Sequence, residues 1–425
     1  MKLNRFQQKA MRMIMAVLLL MVPALAGAAE VVFPVSAYTP EELAQVREWE
    51  KTWAGKKVDT TNIDQVAKFL PESIVGMFKN PEKWGAPPEG YYFTISPYKQ
   101  IIETKGMIAA TKKYAPLVKT DAEGKILNYA EIAGFPFPDP KTGLEMAYNY
   151  DCQSRGDTYH YRWSAPSVDP RARSDRLADQ EFKEMYFVHR TEVDPKPAIK
   201  KNPKGIHKAQ FMHMRLPPET RNSRLIVKKY IDDTKDFATH FYFAEFRRLR
   251  RMSSRERTGA IDGTDMIFDD GNMWDGYINR NTYKYMGKKE LLVCRHQDMS
   301  RHKRTEGQVF PNNLSFERCN TYVVEVKSKT PDYIYSKRMW YIDPETYNIL
   351  WQEMWDQVDQ FWKCFLTITG DVKTAKGEMK NFGVGNVLAD FQRTHGGYSD
   401  QSKIKAISFD LSPKTFSLTN LRRTY

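Results

Sequence analysis

Residues 334–362, IYSKRMWYIDPETYNILWQEMWDQVDQFW, constrain the fold of this 425-residue chain more than any other segment. Two runs rich in aromatic and branched side chains flank the turn signal Asp343-Pro344-Glu345-Thr346: Tyr335, Trp340, Tyr341 and Ile342 before it, Tyr347, Ile349, Leu350, Trp351 and Trp355 after it. The pattern predicts an antiparallel hairpin. Apolar residues occupy both parities, whereas a half-solvated sheet alternates more cleanly, so both faces should meet apolar surroundings. Either one face packs on the core while the other lines a cavity, or the pair is buried between two layers. Periodicity does not separate these cases.

Similar runs fill the chain from residue 116 onward, at 126–132, 145–150, 158–163, 184–190, 210–216, 224–230, 237–246, 283–285, 290–294, 321–326, 365–368, 406–411 and 415–418. So many short strands between turn residues predict a mainly β (α+β) chain built on a large curved antiparallel sheet or incomplete barrel. Residues 29–115 read instead as a helical segment. Thr39-Pro40-Glu41-Glu42 supplies an N-cap, a proline in the first turn and a capping-box glutamate, and Gly55 ends that helix. Shorter helices follow at 62–69 and 72–78, then a strand at 91–96 and a helix at 98–114 stopped by Ala115-Pro116. The organisation expected is a helical segment over 29–115 and a sheet domain over 116–425.

The first 28 residues have the pattern of an export signal. Lys2, Arg5, Lys9 and Arg12 precede an apolar run over 13–22, and Ala26-Gly27-Ala28 offers a small-residue cleavage site, with Ala24-Leu25-Ala26 as a second. The run is short for a membrane span. No cysteine lies near the cut, so an acylated lipoprotein N-terminus is not expected. Cleavage after Ala28 leaves 61 Lys+Arg against 52 Asp+Glu, a formal charge of +9. A basic chain outside the cytoplasm meets anionic lipids and envelope polymers rather than nucleic acid. Four cysteines, Cys152, Cys294, Cys319 and Cys364, would permit two disulfides there. Cys294 with Cys319 is the preferred pair because each lies beside a strand, and free buried thiols are the alternative. No CxxC or Cys/His spacing suggests zinc.

The densest charge cluster, Arg247-Arg248-Leu249-Arg250-Arg251 with Arg255 and Arg257, follows the aromatic segment Phe241-Tyr242-Phe243. Guanidinium groups so placed suit an anionic head group, or they form a solvated strand end. Asp262, Asp265, Asp269 and Asp270 have the composition of a calcium loop without its spacing, and read as acidic turn residues. They are also the carboxylates a hydrolase reading would use. The histidine spacings fit no metal motif, and nucleophile-elbow, HExxH, Walker A and GxGxxG patterns are all missing. No enzyme, cofactor or metal is expected. The apolar stripe within 99–113 (Ile101, Ile102, Met107, Ile108 and Ala109) reads as core packing.

Several segments in order resemble one family, the exported bacterial proteins of domain of unknown function 1329. They are Gly134-Phe135-Pro136-Phe137-Pro138 with Gly143, Glu145, Asn149 and Arg155, then Tyr242 with Arg247-Arg248 and Arg250-Arg251, then Gly287-Lys288-Lys289-Glu290. Tyr335-Ser336-Lys337-Arg338 follows, with Tyr341, Asp343, Asp356 and Trp362. The chain departs from the family pattern at Ala244-Glu245-Phe246, where Pro-Gly usually precedes the arginine pairs, at Tyr150, where histidine is common, and in its four cysteines.

The resemblance implies a fold similar to the LolA and LolB carriers of outer-membrane lipoprotein sorting, a half-open barrel covered by helices. It also implies work on hydrophobic cargo in the periplasm, with an RND-type exporter or outer-membrane protein as partner. A lipid tail gains roughly 0.8 kcal/mol per CH2 removed from water, so an aromatic pocket holds it without a reactive group. The function expected is a soluble periplasmic carrier or binding protein for lipids or other hydrophobic molecules, able to touch a membrane surface. Candidate lining residues are Phe241, Phe243, Trp340, Trp351 and Trp355, with Arg248 and Arg250 for the head group. The alternative is an envelope-stress sensor or interaction protein using the same half-barrel.

Overall fold

A computed structural model describes residues 35–253, 257–261 and 263–422. The expected export signal, Arg255 and Asp262 lie outside the described residues. What is described belongs to one compact unit. Its N-terminal part contains helix α1 (Pro40–Trp53), strand β1 (Lys57–Asp59), helix α2 (Glu72–Lys79), strand β2 (Tyr92–Ile95) and helices α3 (Lys105–Tyr114) and α4 (Gly143–Cys152). Strands follow: β3 (Thr158–Ser164), β4 (Ser167–Asp169), β5 (Ser174–Arg176), β6 (Asp179–Tyr186), β7 (Ile206–Leu216), β8 (Arg224–Tyr230), β9 (Ala238–Phe243) and β10 (Arg248–Met252). After a long crossing come β11 (Asn281–Val293), β12 (Leu314–Ser328), β13 (Lys337–Ile342), β14 (Ile349–Trp355), β15 (Phe361–Lys373), β16 (Met379–Asp390), β17 (His395–Ile407) and a short helix α5 (Leu418–Arg422).

From β11 to β17 each strand pairs antiparallel with the next. Strand β17 then pairs with β3, and the series continues through β6, β7, β8 and β9 to β10, again antiparallel. No ladder joins β10 to β11 among the described residues, so this large sheet is open. One pairing breaks the antiparallel rule. β12 runs past the end of β11, and its residues Leu314, Ser315 and Phe316 pair in parallel with β2, which satisfies backbone groups that β11 leaves unmatched.

Several local expectations differ. The strands expected at 126–132 and 415–418 are absent: Tyr129–Glu131 and Pro413–Phe416 each form a 3-10 turn, and Leu418 begins α5. Residues 145–150 lie in helix α4, because Thr142 and Glu145 close a capping box that sets a helix start where aromatic content alone suggested a strand. The helix expected over 98–114 begins only at Lys105, where Thr104 Oγ accepts the Met107 N–H. Strand β16 escaped notice because glycine lowers strand propensity. A Cβ at Gly385 would stand 2.7 Å from Ser399 O, so glycine there permits close approach of β17.

Both faces of β12–β16 are covered. One packs on the N-terminal segment through Val46, Phe69 and Phe78 with Phe316, Trp351, Leu366 and Val387. The other packs on α3, α4 and the crossing 267–278 through Met107, Met146, Tyr150 and Trp274 with Val324, Trp340, Ile349 and Phe365. The β13–β14 hairpin is therefore buried between two layers. Its Asp343-Pro344-Glu345 turn anchors the N-terminal segment: Glu345 accepts hydrogen bonds from the Ala37 and Ile101 amides and an ion pair from Arg295 at 2.7 Å. Beyond β17 the sheet is covered on one face by Phe416 and Leu421, packed on Phe211 and Ile226.

The cysteines are all free and buried. This corrects the Cys294–Cys319 expectation. Cys319 lies opposite Leu291, three residues before Cys294, and Cys294 lies beyond the end of that ladder, bridged to Ile368 of β15. Cys319 Sγ instead accepts from Arg295 and donates to the Asn320 carbonyl.

Candidate ligand-binding cavity

The other face of β3 and β6–β10 carries two small apolar clusters, one with Tyr159, Tyr161 and Phe182 and one with Met214, Leu225 and Val227, and a cavity lies against both. Register places Tyr161 opposite Phe182, Phe182 opposite Met212, Met212 opposite Leu225, Leu225 opposite Phe241 and Phe241 opposite Arg250. One straight row thus carries five apolar side chains across five strands and ends on a guanidinium. Neighbouring rows add Trp163, Met214, Phe243 and Met252 on the same face, as the two-residue period requires. The crossing from β10 to β11 arches over these rows with Ile261, Met266 and Phe268, and encloses a cavity of about 500 Å³. That volume is in the range of sites for small organic ligands.

Polar groups at the cavity are mostly engaged. Arg257 bonds Asp269 Oδ1 at 2.8 Å and the Asp275 carbonyl at 3.0 Å, and its guanidinium carbon lies 3.7 Å from the Phe237 ring centre. This clamps the crossing onto the sheet. Lys208, buried, stands 3.2 Å from Asp275 and 3.7 Å from Glu184. Glu184 also accepts from Tyr159 at 2.7 Å and Gln210 at 2.5 Å. The paired lysine holds the Asp275 carboxyl below the ordinary carboxylate range against the opposing effect of burial.

Of the residues singled out from sequence, Phe241, Phe243 and Arg250 line this cavity. Arg248 is opposite Phe243 in register and exposed to solvent. Trp340, Trp351 and Trp355 do not line it. Trp340 is 0 % exposed between Tyr150, Trp274 and Tyr283, and its Nε1 donates to Gln352 at 2.7 Å. Trp351 belongs to the opposite core and donates to the Leu292 carbonyl. Trp355 packs on Phe361 under the Lys337 ammonium. Sequence reasoning missed Tyr161, Trp163, Phe182, Met212 and Leu225. The alternation Tyr159-His160-Tyr161-Arg162-Trp163 was the available signal, since it sets three aromatic rings on one face.

The aspartates of the crossing serve as pins. Asp265 binds His395 and Arg393, Asp269 binds Arg257 and Tyr333, and Asp270 binds Arg338 at 2.8 Å and Tyr335 at 3.0 Å. Among the described residues no cluster of three or more His, Cys, Asp or Glu side chains could hold a metal ion. The turns at the end of the sheet nearest Trp163 and Phe243 carry exposed Leu177, Leu216 and Phe246, with Arg215, Arg221, Arg247 and Arg248 also exposed.

A family model described as "Protein of unknown function (DUF1329)" matches residues 57–422. The uncharacterized protein PA3922 of Pseudomonas aeruginosa is 23% identical over 320 residues, 72% of this chain and 67% of that protein. Similar solved structures include a putative outer membrane lipoprotein-sorting protein domain from Vibrio parahaemolyticus (13% identity, 66% of this chain and 98% of that chain, TM-score 0.47). Others are a DUF1329 family protein from Desulfovibrio piger (13%, 66% and 97%, TM-score 0.48) and the LolA superfamily protein NE2245 from Nitrosomonas europaea (10%, 66% and 100%, TM-score 0.42).

Proposed function

The chain belongs to the DUF1329 family of proteins of unknown function, and from that premise we propose that it binds or carries hydrophobic molecules, with the cavity over β3 and β6–β10 as its site. The observation that carries this reading is the cross-strand row Tyr161, Phe182, Met212, Leu225 and Phe241, which lines the cavity and in which Met212 and Phe241 stay partly exposed. The parts of Met212 and Phe241 that still face the cavity gain from burial only when an apolar ligand displaces water from them. The role requires no catalytic group.

We place the function outside the cytoplasm, after removal of residues 1–28, where the cargo would move between membranes. No helix among the described residues is long and apolar enough to cross a membrane. The exposed leucines, Phe246 and arginines at one end of the sheet suit contact with an anionic lipid surface, which supports loading there. The experiment is mass spectrometry of organic extracts from gently purified protein, joined to titration with a fluorescent fatty acid. Co-purified lipid and saturable binding, weakened about tenfold by Phe241→Ala, are expected. No extracted lipid together with no saturable binding overturns the reading.

A further inference from the structure

The apolar chamber continues into a polar recess. Asn272, Asn386 and Gln401 line both the chamber and a smaller space of about 50 Å³ between the end of α4 and strands β15 and β16. Arg155 and Lys380 line this recess, and no Asp or Glu does. Lys380 is paired with Glu103 at 2.9 Å. Arg155 is different. Its guanidinium donates to the Tyr186 hydroxyl at 3.0 Å, also hydrogen-bonds Tyr150, and lies 5.0 Å from the Tyr150 ring centre. Among the described residues, none makes an ion pair with it. The nearby carboxylates of Glu184 and Asp275 are already engaged by Lys208 and Gln210. A guanidinium carries five N–H donors, more than the two tyrosines use, so Arg155 keeps donors for a ligand in the recess it lines.

The backbone holds Arg155 there at a cost. Arg155, Gly156 and Asp157 all have positive φ, at 46°, 89° and 69°. Two of the three are residues for which that region is unfavourable. The turn is locked because the Asp157 carboxylate accepts the amide protons of Thr191, Glu192 and Val193. Strain retained by such a lock is the kind found where a side chain must be aimed.

We propose that the recess holds the carboxylate head of a single-chain amphiphile, with Arg155 as its partner and the hydrocarbon tail lying over the Phe182, Met212 and Leu225 floor. The proposal rests on the carrier reading and narrows it to a ligand class. A planar carboxylate accepts two parallel N–H bonds from one guanidinium. The recess has room for roughly three or four water-sized groups, enough for a carboxylate and too little for a glycerophosphate head. Gly383 lines the recess, and a Cβ built on it would meet nothing within 4 Å, so there is open space at this position for a side chain that narrows the recess.

The test is displacement of a fluorescent fatty-acid probe from the purified protein by palmitic acid and by the alcohol of the same chain length. It is run on the natural chain and on Arg155→Met, Arg155→Lys and Gly383→Leu. The acid is expected to bind roughly tenfold or more tightly than the alcohol. Arg155→Met and Gly383→Leu should each abolish that preference while leaving the alcohol's affinity within about threefold, and Arg155→Lys should restore part of it. Equal binding of acid and alcohol by the natural chain overturns the head-group assignment and leaves the carrier reading standing. Binding of neither overturns both. A preference for the acid that survives Arg155→Met and Gly383→Leu also refutes the assignment, because the head then sits elsewhere.

Discussion

Replacing Trp340 separates a core residue from a cavity wall. Trp340 is 0 % exposed and sits 5.3–5.9 Å, ring centre to ring centre, from Trp274, Tyr283 and Tyr150. Truncation to alanine removes the whole indole from a packed site that α4 and the crossing press on from outside, a change that costs about 3–5 kcal/mol. It also removes one of two hydrogen bonds to the buried Gln352 Oε1, the other coming from Arg338 at 3.3 Å, adding about 1 kcal/mol. Trp340→Phe keeps most of the ring and loses the N–H, so it should cost about 2 kcal/mol or less and bound the second contribution. Phe241→Ala provides the contrast. Phe241 is half-buried on the cavity floor, so its truncation should cost about 1 kcal/mol or less in stability while weakening ligand binding. Urea denaturation of the three variants gives the stabilities, and fluorescent fatty-acid titration of the folded fraction gives the affinities. A Trp340→Ala protein as stable as the natural chain but unable to bind ligand would refute the placement of the hairpin in the core.

Other perturbations test other parts of the structure. Burial pushes the His189 imidazole down to about 4 from its ordinary 6.5. Between those values the unfolded chain binds a proton that the folded chain refuses, so stability is complete above 6.5 and falls by about 3 kcal/mol as pH drops toward 4. His207, pushed down in the same direction by the same cause, steepens the loss; urea midpoints at neutral pH and at about pH 5 should differ accordingly, and equal midpoints would exclude it. All four thiols should resist alkylation in the folded protein and react once it is unfolded without reductant, since each is buried and burial pushes each pKa up; two reactive thiols after unfolding would restore a disulfide. Gly85→Ala should lower stability by about 2 kcal/mol or more by calorimetry, because φ is +75° and the new Cβ would fall 1.9 Å from Gly307 O; unchanged melting would show that this contact is absent.

Local chemistry made much of the architecture legible before any coordinate. The strand runs of β7, β8, β11, β12, β13 and β14 were visible because β-branched and aromatic residues cluster between turn formers, and α1 because its capping box, Thr39 to Glu42, is encoded in four consecutive residues. The family resemblance was legible too, in short ordered motifs. Tertiary structure alone decided where the cavity lies. An apolar residue such as Trp340 or Phe241 has the same strand propensity whether protein or a ligand covers it, because both exclude water. The difference arises from elements far away in sequence: α4 and the N-terminal segment fill both sides of β13–β14, while the crossing after β10 bridges β6–β9 without filling the space beneath. The freedom of Arg155 is likewise a tertiary fact. Lys208 engages Glu184 and Asp275, carboxylates near it, and no sequence spacing records which cation a buried carboxylate will choose.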